Sequence, residues 1–216
     1  MSHPLRARIL AHRGHWKNES GYEELEKNSL SAIMRASELG FGLEVDLRDF
    51  HGKIAISHDP VVSSDFNIEQ LLCLDFNGPV ALNVKSDGLV PLIETAFKLL
   101  EPKFEYFFFD MSVPEAIKYL SRDLPIASRI SEIETFSSEA QNFVWLDSFK
   151  SDWYKAQTDW MSTLDTSKVV IVSPELHERT HVLTWKWIAE QMNQNENLYL
   201  CTDNPLEYLR FWESTS

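Results

Sequence analysis

Eight short runs of continuous or nearly continuous apolar residues recur along the chain, at 8–12, 42–48, 80–85, 106–110, 124–129, 143–147, 169–173 and 198–202. Runs of this length and character mark strands covered on both faces, as in a parallel sheet. Amphipathic stretches lie between them. In 29–39, Leu30, Ile33, Met34 and Ser37 fall at helical spacing, and Gly40 is placed as a C-terminal cap. The alternation predicts a βα unit repeated eight times, which favours a closed (β/α)8 TIM barrel over an open doubly wound sheet. No Gly-rich GxGxxG or Walker-type loop supports the open alternative. With 216 residues the chain is shorter than typical barrels, so some helices are expected to be short or missing. No linker or internal repeat divides it, and 1–216 reads as one domain.

One segment breaks the βα rhythm. Asp49-Phe50-His51-Gly52-Lys53-Ile54 predicts a hairpin inserted after the second strand, with Gly52 supplying the positive φ of a three-residue loop. With Asp49 facing Lys53, His58 falls opposite Glu44. Opposed residues share a face and lie about 5 Å apart.

Composition narrows the function classes. There are 33 acidic against 20 basic side chains, a net charge of −13, so a general nucleic-acid surface with clustered Lys and Arg is not expected. Cys73 and Cys201 are isolated, with no CxxC pair, and the N-terminus lacks the apolar core of a signal peptide. These features predict a cytoplasmic location. No apolar window reaches the length of a membrane span, so no integral membrane association is expected.

Polar residues punctuate the C-terminal ends of the predicted strands: His12 and Arg13, Asp46 and Arg48, Lys85, Asp110 and Ser112, Arg129, Asp147, Glu175, then Thr202 and Asp203. In a barrel this is the end where loops build an active site. Glu44 and Asp46 alternate with Leu43, Val45 and Leu47, so both carboxylates project the same way. Burying two like charges together is costly unless a cation or arginine lies between them. His12 at the neighbouring strand end and His58 across the hairpin suit a two-step proton exchange, since an unperturbed imidazole titrates near neutrality. Arg13 and Lys85 are candidate grips on phosphate oxygens. Oxygen ligands select one hard divalent cation, Mg²⁺ or Ca²⁺, over Zn²⁺. The set is that of metal-assisted cleavage of a small-molecule phosphodiester.

His12-Arg13-Gly14, Lys27-Asn28-Ser29-Leu30, Glu44-Val45-Asp46, Gly52-Lys53 and His58-Asp59 together resemble the signature of the glycerophosphodiester phosphodiesterase family. Cys201-Thr202-Asp203-Asn204-Pro205 resembles that family's closing strand. The resemblance implies a TIM barrel that hydrolyses glycerophosphodiesters to glycerol 3-phosphate and an alcohol with a divalent metal. It implies His12 and His58 as the acid/base pair, Glu44 and Asp46 as metal ligands and Arg13 as a phosphate contact. Two positions depart from the family's pattern. Asn83 stands two residues before Lys85 where a third acidic ligand is usual, so the implied metal set is Glu44, Asp46 and Asn83. Lys27 stands where the family carries Glu.

Further along, Glu175 in Ser173-Pro174-Glu175-Leu176-His177 is a candidate ligand or substrate contact. Phe107, Phe108 and Phe109 read as barrel packing. Trp145, Trp185 and Trp187 read as core residues rather than a quaternary-ammonium cage. Residues 15–26 form either a lid over the mouth or a solvated loop. Two alternatives compete with hydrolysis: a non-catalytic barrel that binds a phosphate ligand, and a phospholipase C-like lyase that forms a cyclic phosphate.

Overall fold

The computed structural model describes residues 4–19, 21–63, 66–134, 142–157, 159–165 and 167–215. Its strands are β1 (Ile9–His12), β2 (Gly42–Phe50), β3 (Lys53–Ile56), β4 (Val80–Val84), β5 (Tyr106–Phe109), β6 (Ala127–Ile130), β7 (Phe143–Leu146), β8 (Lys168–Val172) and β9 (Leu198–Thr202). All but β3 run parallel, in the order β5-β4-β2-β1-β9-β8-β7-β6. The two ends of this order meet at one bridge, Phe108 to Ile126, where the Phe108 N–H donates to the Pro125 carbonyl at 2.9 Å. Eight parallel strands therefore make a nearly closed barrel, as the sequence predicts.

Strand alternation divides the apolar residues into two layers. Ile9, Leu43, Leu82, Phe108, Val169 and Leu200 belong to the layer between barrel and helices. Leu10, Ala81, Phe107, Phe109, Phe143, Trp145, Val170 and Cys201 fill the barrel itself. Side chains on both faces are buried, which is why these runs read as continuously apolar. Inside the barrel, Phe107 stacks on Phe143 at 4.3 Å and Phe109 on Trp145 at 4.1 Å. Each fully buried ring of this size contributes about 2 kcal/mol. Together they plug the interior beneath its mouth.

The helices are α1 (Leu30–Glu38), α2 (Ile68–Leu72), α3 (Val90–Leu99), α4 (Val113–Leu120), α5 (Val182–Gln194) and α6 (Pro205–Thr215). At the start of α1 the Ser29 hydroxyl accepts the Ala32 N–H, and Gly40 at φ +79° follows its end. The economy expected of a short chain is visible in α2, which has 5 residues. Among the described residues, the β6–β7 connection contains no helix and the β7–β8 connection contains only 3₁₀ turns.

The hairpin forms where predicted, but its register differs by one residue. Phe50 pairs with Lys53, Asp49 with Ile54 and Leu47 with Ile56. The turn holds two residues, His51 at φ +48° and Gly52 at φ +74°, the left-handed pair of a type I′ turn. Such a turn matches the twist of the strands it joins, and His51 adopts the conformation expected only of Gly52. His58 consequently does not lie opposite Glu44. The ladder ends near Asp46, whose carbonyl accepts the Ser57 N–H at 2.9 Å, and His58 follows in the loop.

Gly14 fixes how β1 leads to α1. Its φ is +87°, and an added Cβ would meet the Ala32 carbonyl carbon at 2.8 Å. Gly52 has a similar φ of +74° with open space around it. Gly52→Ala is expected to lower the unfolding free energy by about 1 kcal/mol and Gly14→Ala by roughly 3 kcal/mol, because only the latter adds overpacking to backbone strain. Denaturant titration of both variants checks this; equal losses would remove the packing role assigned to Gly14.

Candidate active site

Alternation also sets the polar groups at the mouth. His12 follows Leu10 inward on β1, Asn83 follows Ala81 on β4, and Asp203 follows Cys201 just past β9. Glu44 and Asp46 take the inward positions of β2, between Leu43, Val45 and Leu47 of the outer layer. Parallel register puts His12 beside Glu44 and Asp46 beside Asn83. Four neighbouring strands thus deliver five polar side chains to one wall.

His12 is held through one ring nitrogen and faces Glu44 with the other. Its Nδ1 lies 2.7 Å from Asp203 Oδ1, and its Nε2 lies 3.8 Å from Glu44 Oε2. With Nδ1–H given to the carboxylate, Nε2 carries the lone pair on the Glu44 side. Burial pushes the Asp203 carboxyl up, but the hydrogen bond and charge of His12, with Lys27 and Lys17 beyond, hold it below the usual range. The Asp203 N–H in turn donates to Glu175 Oε1 at 3.3 Å.

Asp46 is fully buried and surrounded by donors. Arg13 Nε lies 2.9 Å from Oδ2, Asn28 Nδ2 donates to the same oxygen at 2.8 Å, and Lys85 Nζ lies 3.3 Å from Oδ1. Asn28 Oδ1 accepts the Asp46 N–H at 3.3 Å, so the amide and Asp46 bind each other reciprocally. Arg13 sits in the left-handed region at φ +57°, which lets its own N–H reach Glu44 Oε2 at 3.2 Å while its guanidinium turns to Asp46. Glu44 is pushed up to about 7, first by burial and then by the Asp46 charge, against the pull of His12, Arg13 and Lys85.

These residues fit a hard cation. Asn83 Oδ1 and Asp46 Oδ1 are buried without a hydrogen-bond partner, and Glu44 lacks enough neutralising charge to ionise at its ordinary pH. Among the described residues no group of three or more His, Cys, Asp or Glu side chains is placed to hold a metal ion, and the oxygens open to a cation here are those of Glu44, Asp46 and the Asn83 amide.

The other expected site residues lie as follows. Lys85 joins the wall through Asp46. His58 is 44% exposed and pairs with Asp59 at 2.9 Å, while its carbonyl accepts Arg48 Nη2 at 2.8 Å. It lines a cleft of about 760 Å³ with Arg13, Lys27, Asn28, Ser57 and Asp59. His58 therefore shares a cleft with the phosphate-binding candidate Arg13 without touching the carboxylates. Glu175 accepts the hydroxyls of Ser173 and Thr202 as well as the Asp203 N–H, so its contacts orient Asp203. Lys27 stacks over Trp16 at 4.2 Å. A larger cleft, about 1170 Å³, opens at the opposite end of the barrel near Arg8 and Lys168. Those cations are already committed to the Met192 and Asn195 carbonyls and to Glu105.

The segment 15–26, in its described residues, is tied down at several points, although Asn18, Gly21, Tyr22, Glu23, Glu24 and Glu26 are exposed. Arg35 donates to the His15 and Glu23 carbonyls, Lys17 donates to Asn204 Oδ1 at 2.7 Å, and the Glu207 N–H donates to Glu19. Asp203 and Asn28 stand inside the motifs that carry the family resemblance, which by itself assigns neither a role. Their signal was position: Asp203 continues the inward alternation of β9, and Asn28 directly precedes the cap of α1. Trp145, Trp185 and Trp187 are packing residues: Trp145 stacks on Phe109, Trp185 donates to Ser173, and Trp187 packs on Tyr154.

The burial of Glu44 has a pH signature. Below its ordinary range Glu44 is protonated in both folded and unfolded chains. As pH rises toward about 7 the unfolded chain ionises first, so the fold loses stability across that window and stays at the reduced level above it. Glu44→Gln in metal-free protein is therefore expected to raise stability by roughly 2 kcal/mol at pH 8 and to leave it unchanged at pH 4. Denaturant midpoints at the two pH values check this, and equal midpoints at pH 8 would contradict it.

No protein-family model matches this chain, and no curated protein matches it. Solved structures share its fold, two of them as follows. One is described as "a putative glycerophosphodiester phosphodiesterase from Galdieria sulphuraria", at 17% identity and a TM-score of 0.62, covering 95% of this chain and 97% of that one. The other is the glycerophosphodiester phosphodiesterase from Agrobacterium tumefaciens str. C58, at 12% identity and a TM-score of 0.63, covering 95% and 99%. At these identities the likeness establishes the fold: the chain is built on the same TIM barrel as those two proteins.

Proposed function

We propose that this chain is a metal-dependent phosphodiesterase that hydrolyses a small glycerophosphodiester to glycerol 3-phosphate and an alcohol. The observation that carries the reading is His12 held between Asp203 and Glu44, on the same wall as an Asp46 ringed by Arg13, Lys85 and Asn28. His12 is the anchored acid/base. Its Asp203 partner fixes the tautomer and stabilises the imidazolium formed when Nε2 takes a proton from the attacking water or neighbouring substrate hydroxyl. His58, on the loop beside Arg13, supplies the complementary proton to the leaving alkoxide. Arg13 and Lys85 transfer donors from Asp46 to the phosphate oxygens as substrate enters. Glu44, Asp46 and Asn83 would hold one Mg²⁺ or Ca²⁺ ion, which when bound polarises a phosphoryl oxygen. Lys27, in place of an acid, adds positive charge at the rim that favours an anionic substrate.

No helix among the described residues is long and apolar enough to cross a membrane, and Cys73 and Cys201 are free thiols. We place the chain in the cytoplasm on the cysteine reading, acting on soluble diesters.

Metal-stripped protein incubated with a panel of glycerophosphodiesters is expected to release glycerol 3-phosphate once Mg²⁺, Ca²⁺ or Mn²⁺ is restored. A cyclic phosphate product would instead establish the lyase, and binding without turnover under every metal would establish a ligand-binding barrel. Within the hydrolase, His12→Ala is expected to cost about 10²–10⁴-fold in kcat with the fold intact, and Asp203→Asn to cost less. Full activity in His12→Ala, measured by steady-state release, would sink the assignment.

A further inference from the structure

A second Asp–His pair stands on the opposite wall of the mouth. Asp147 follows Trp145 inward from β7 and is buried, with Oδ1 accepting the Ser148 N–H at 2.8 Å and lying 2.7 Å from His177 Nε2. Arg129, the inward residue after Ala127 on β6, pairs with Asp110 and reaches Asp147 Oδ2 at 3.8 Å. The Phe149 ring packs against His177 at 4.7 Å and beneath the Arg129 guanidinium at 5.7 Å. Between this wall and the His12 wall lies the stacked Phe109–Trp145 floor.

From this arrangement we infer that His177, oriented by Asp147, binds a hydroxyl-bearing alcohol portion of the substrate, with Arg129 as its complement. The inference rests on the phosphodiesterase reading and names the class of alcohol within it: a polyol. Three arguments support it. Beside and below Arg129 the barrel interior is filled by Trp145 and Val170, then Ala127 and Phe143, so packing here needs no ionised groups, and replacing buried ion pairs by apolar residues is often neutral or stabilising. Next, His177 Nε2–H is committed to Asp147, which leaves Nδ1 as an acceptor without a partner among the described residues. A hydroxyl can donate to that nitrogen, and the Arg129 guanidinium, shared among Asp110, Glu134 and Asp147, stands on the same wall as a donor. Finally, a quaternary ammonium has neither donor nor acceptor and needs an open aromatic face. The Phe149 ring already packs against Arg129 and His177, while Trp145 stacks on Phe109.

The wall is also built to stay in place. His177 closes the 3₁₀ turn Pro174–His177, which ends in a left-handed Glu178 at φ +57°. Arg179 ties that turn to the end of β7 through the Ser148 carbonyl at 2.8 Å. The same turn carries Glu175 to Asp203, so one short element supports both walls.

His177→Gln is the discriminating variant, since its amide can still donate to Asp147 while the ring acceptor is lost. With metal-loaded protein, glycerophosphoglycerol is expected to show a KM about tenfold higher in the variant at nearly unchanged kcat, the scale of one lost hydrogen bond. Glycerophosphocholine kinetics are expected not to change. Equal losses for both diesters, or no loss for either, would overturn the inference. If wild-type protein turns over neither diester, the phosphodiesterase reading fails, and His177 is judged by its ring resonances. Their displacement on adding glycerophosphoglycerol but not glycerophosphocholine upholds the polyol contact, and their indifference to both overturns it.

Discussion

Two carboxylates buried side by side on one strand are the constraint around which this barrel mouth is organised. Glu44 and Asp46 share a face that is almost wholly withdrawn from water, where a lone charge is costly. Asp46 is approached by a cation just past β1, a cation just past β4 and an amide from the α1 entry, which ties three separate parts of the chain to one carboxylate and still leaves Oδ1 without a hydrogen bond. Glu44 receives less: a backbone N–H, a distant imidazole and the repulsion of its neighbour. The left-handed Arg13 and the close approach of Gly14 to α1 both follow from bringing the first turn back over β2. Local strain here is offset by charge neutralisation a few ångströms away.

That arrangement makes the mouth asymmetric. On the β1–β2–β4 side, two cations, Arg13 and Lys85, converge on Asp46 and can meet an anion. On the β6–β7 side, a single guanidinium faces Asp110, Glu134 and Asp147. A phosphodiester has the same asymmetry, with its charge at phosphorus and a neutral or polar group to one side. The aromatic floor between the two walls carries no charge of its own and sets the depth to which any substrate can sink.

Much of this was legible in the chain because it is local. Continuous apolar runs gave the parallel strands, and period-two alternation gave the shared face of Glu44 and Asp46. Ser29 and Gly40 marked the ends of α1. The misread steps depend on information that spacing does not carry. A two-residue or three-residue turn at His51-Gly52 uses the same letters, and the choice between them rotates His58 away from Glu44. The His12–Asp203 and Asp147–His177 pairs join residues 191 and 30 positions apart, and it is the pairing of β1 with β9 and of β7 with β8 that brings them together. Glu175 was visible as a strand-end acid, but its contacts on Asp203 come from tertiary packing.

The seam between β5 and β6 is the mechanically weakest join of the ring. Along the rest of the ring adjacent strands share full ladders, whereas here a single bridge joins them. Asp110 stands just past β5 and Arg129 lies on β6, so their ion pair crosses the same gap as a clasp. Main-chain hydrogen bonding is poorest where side-chain charge is most concentrated. Breathing of the cylinder would therefore begin at this join, and the polar wall it carries would loosen before the carboxylate wall, whose strands are laced on both sides.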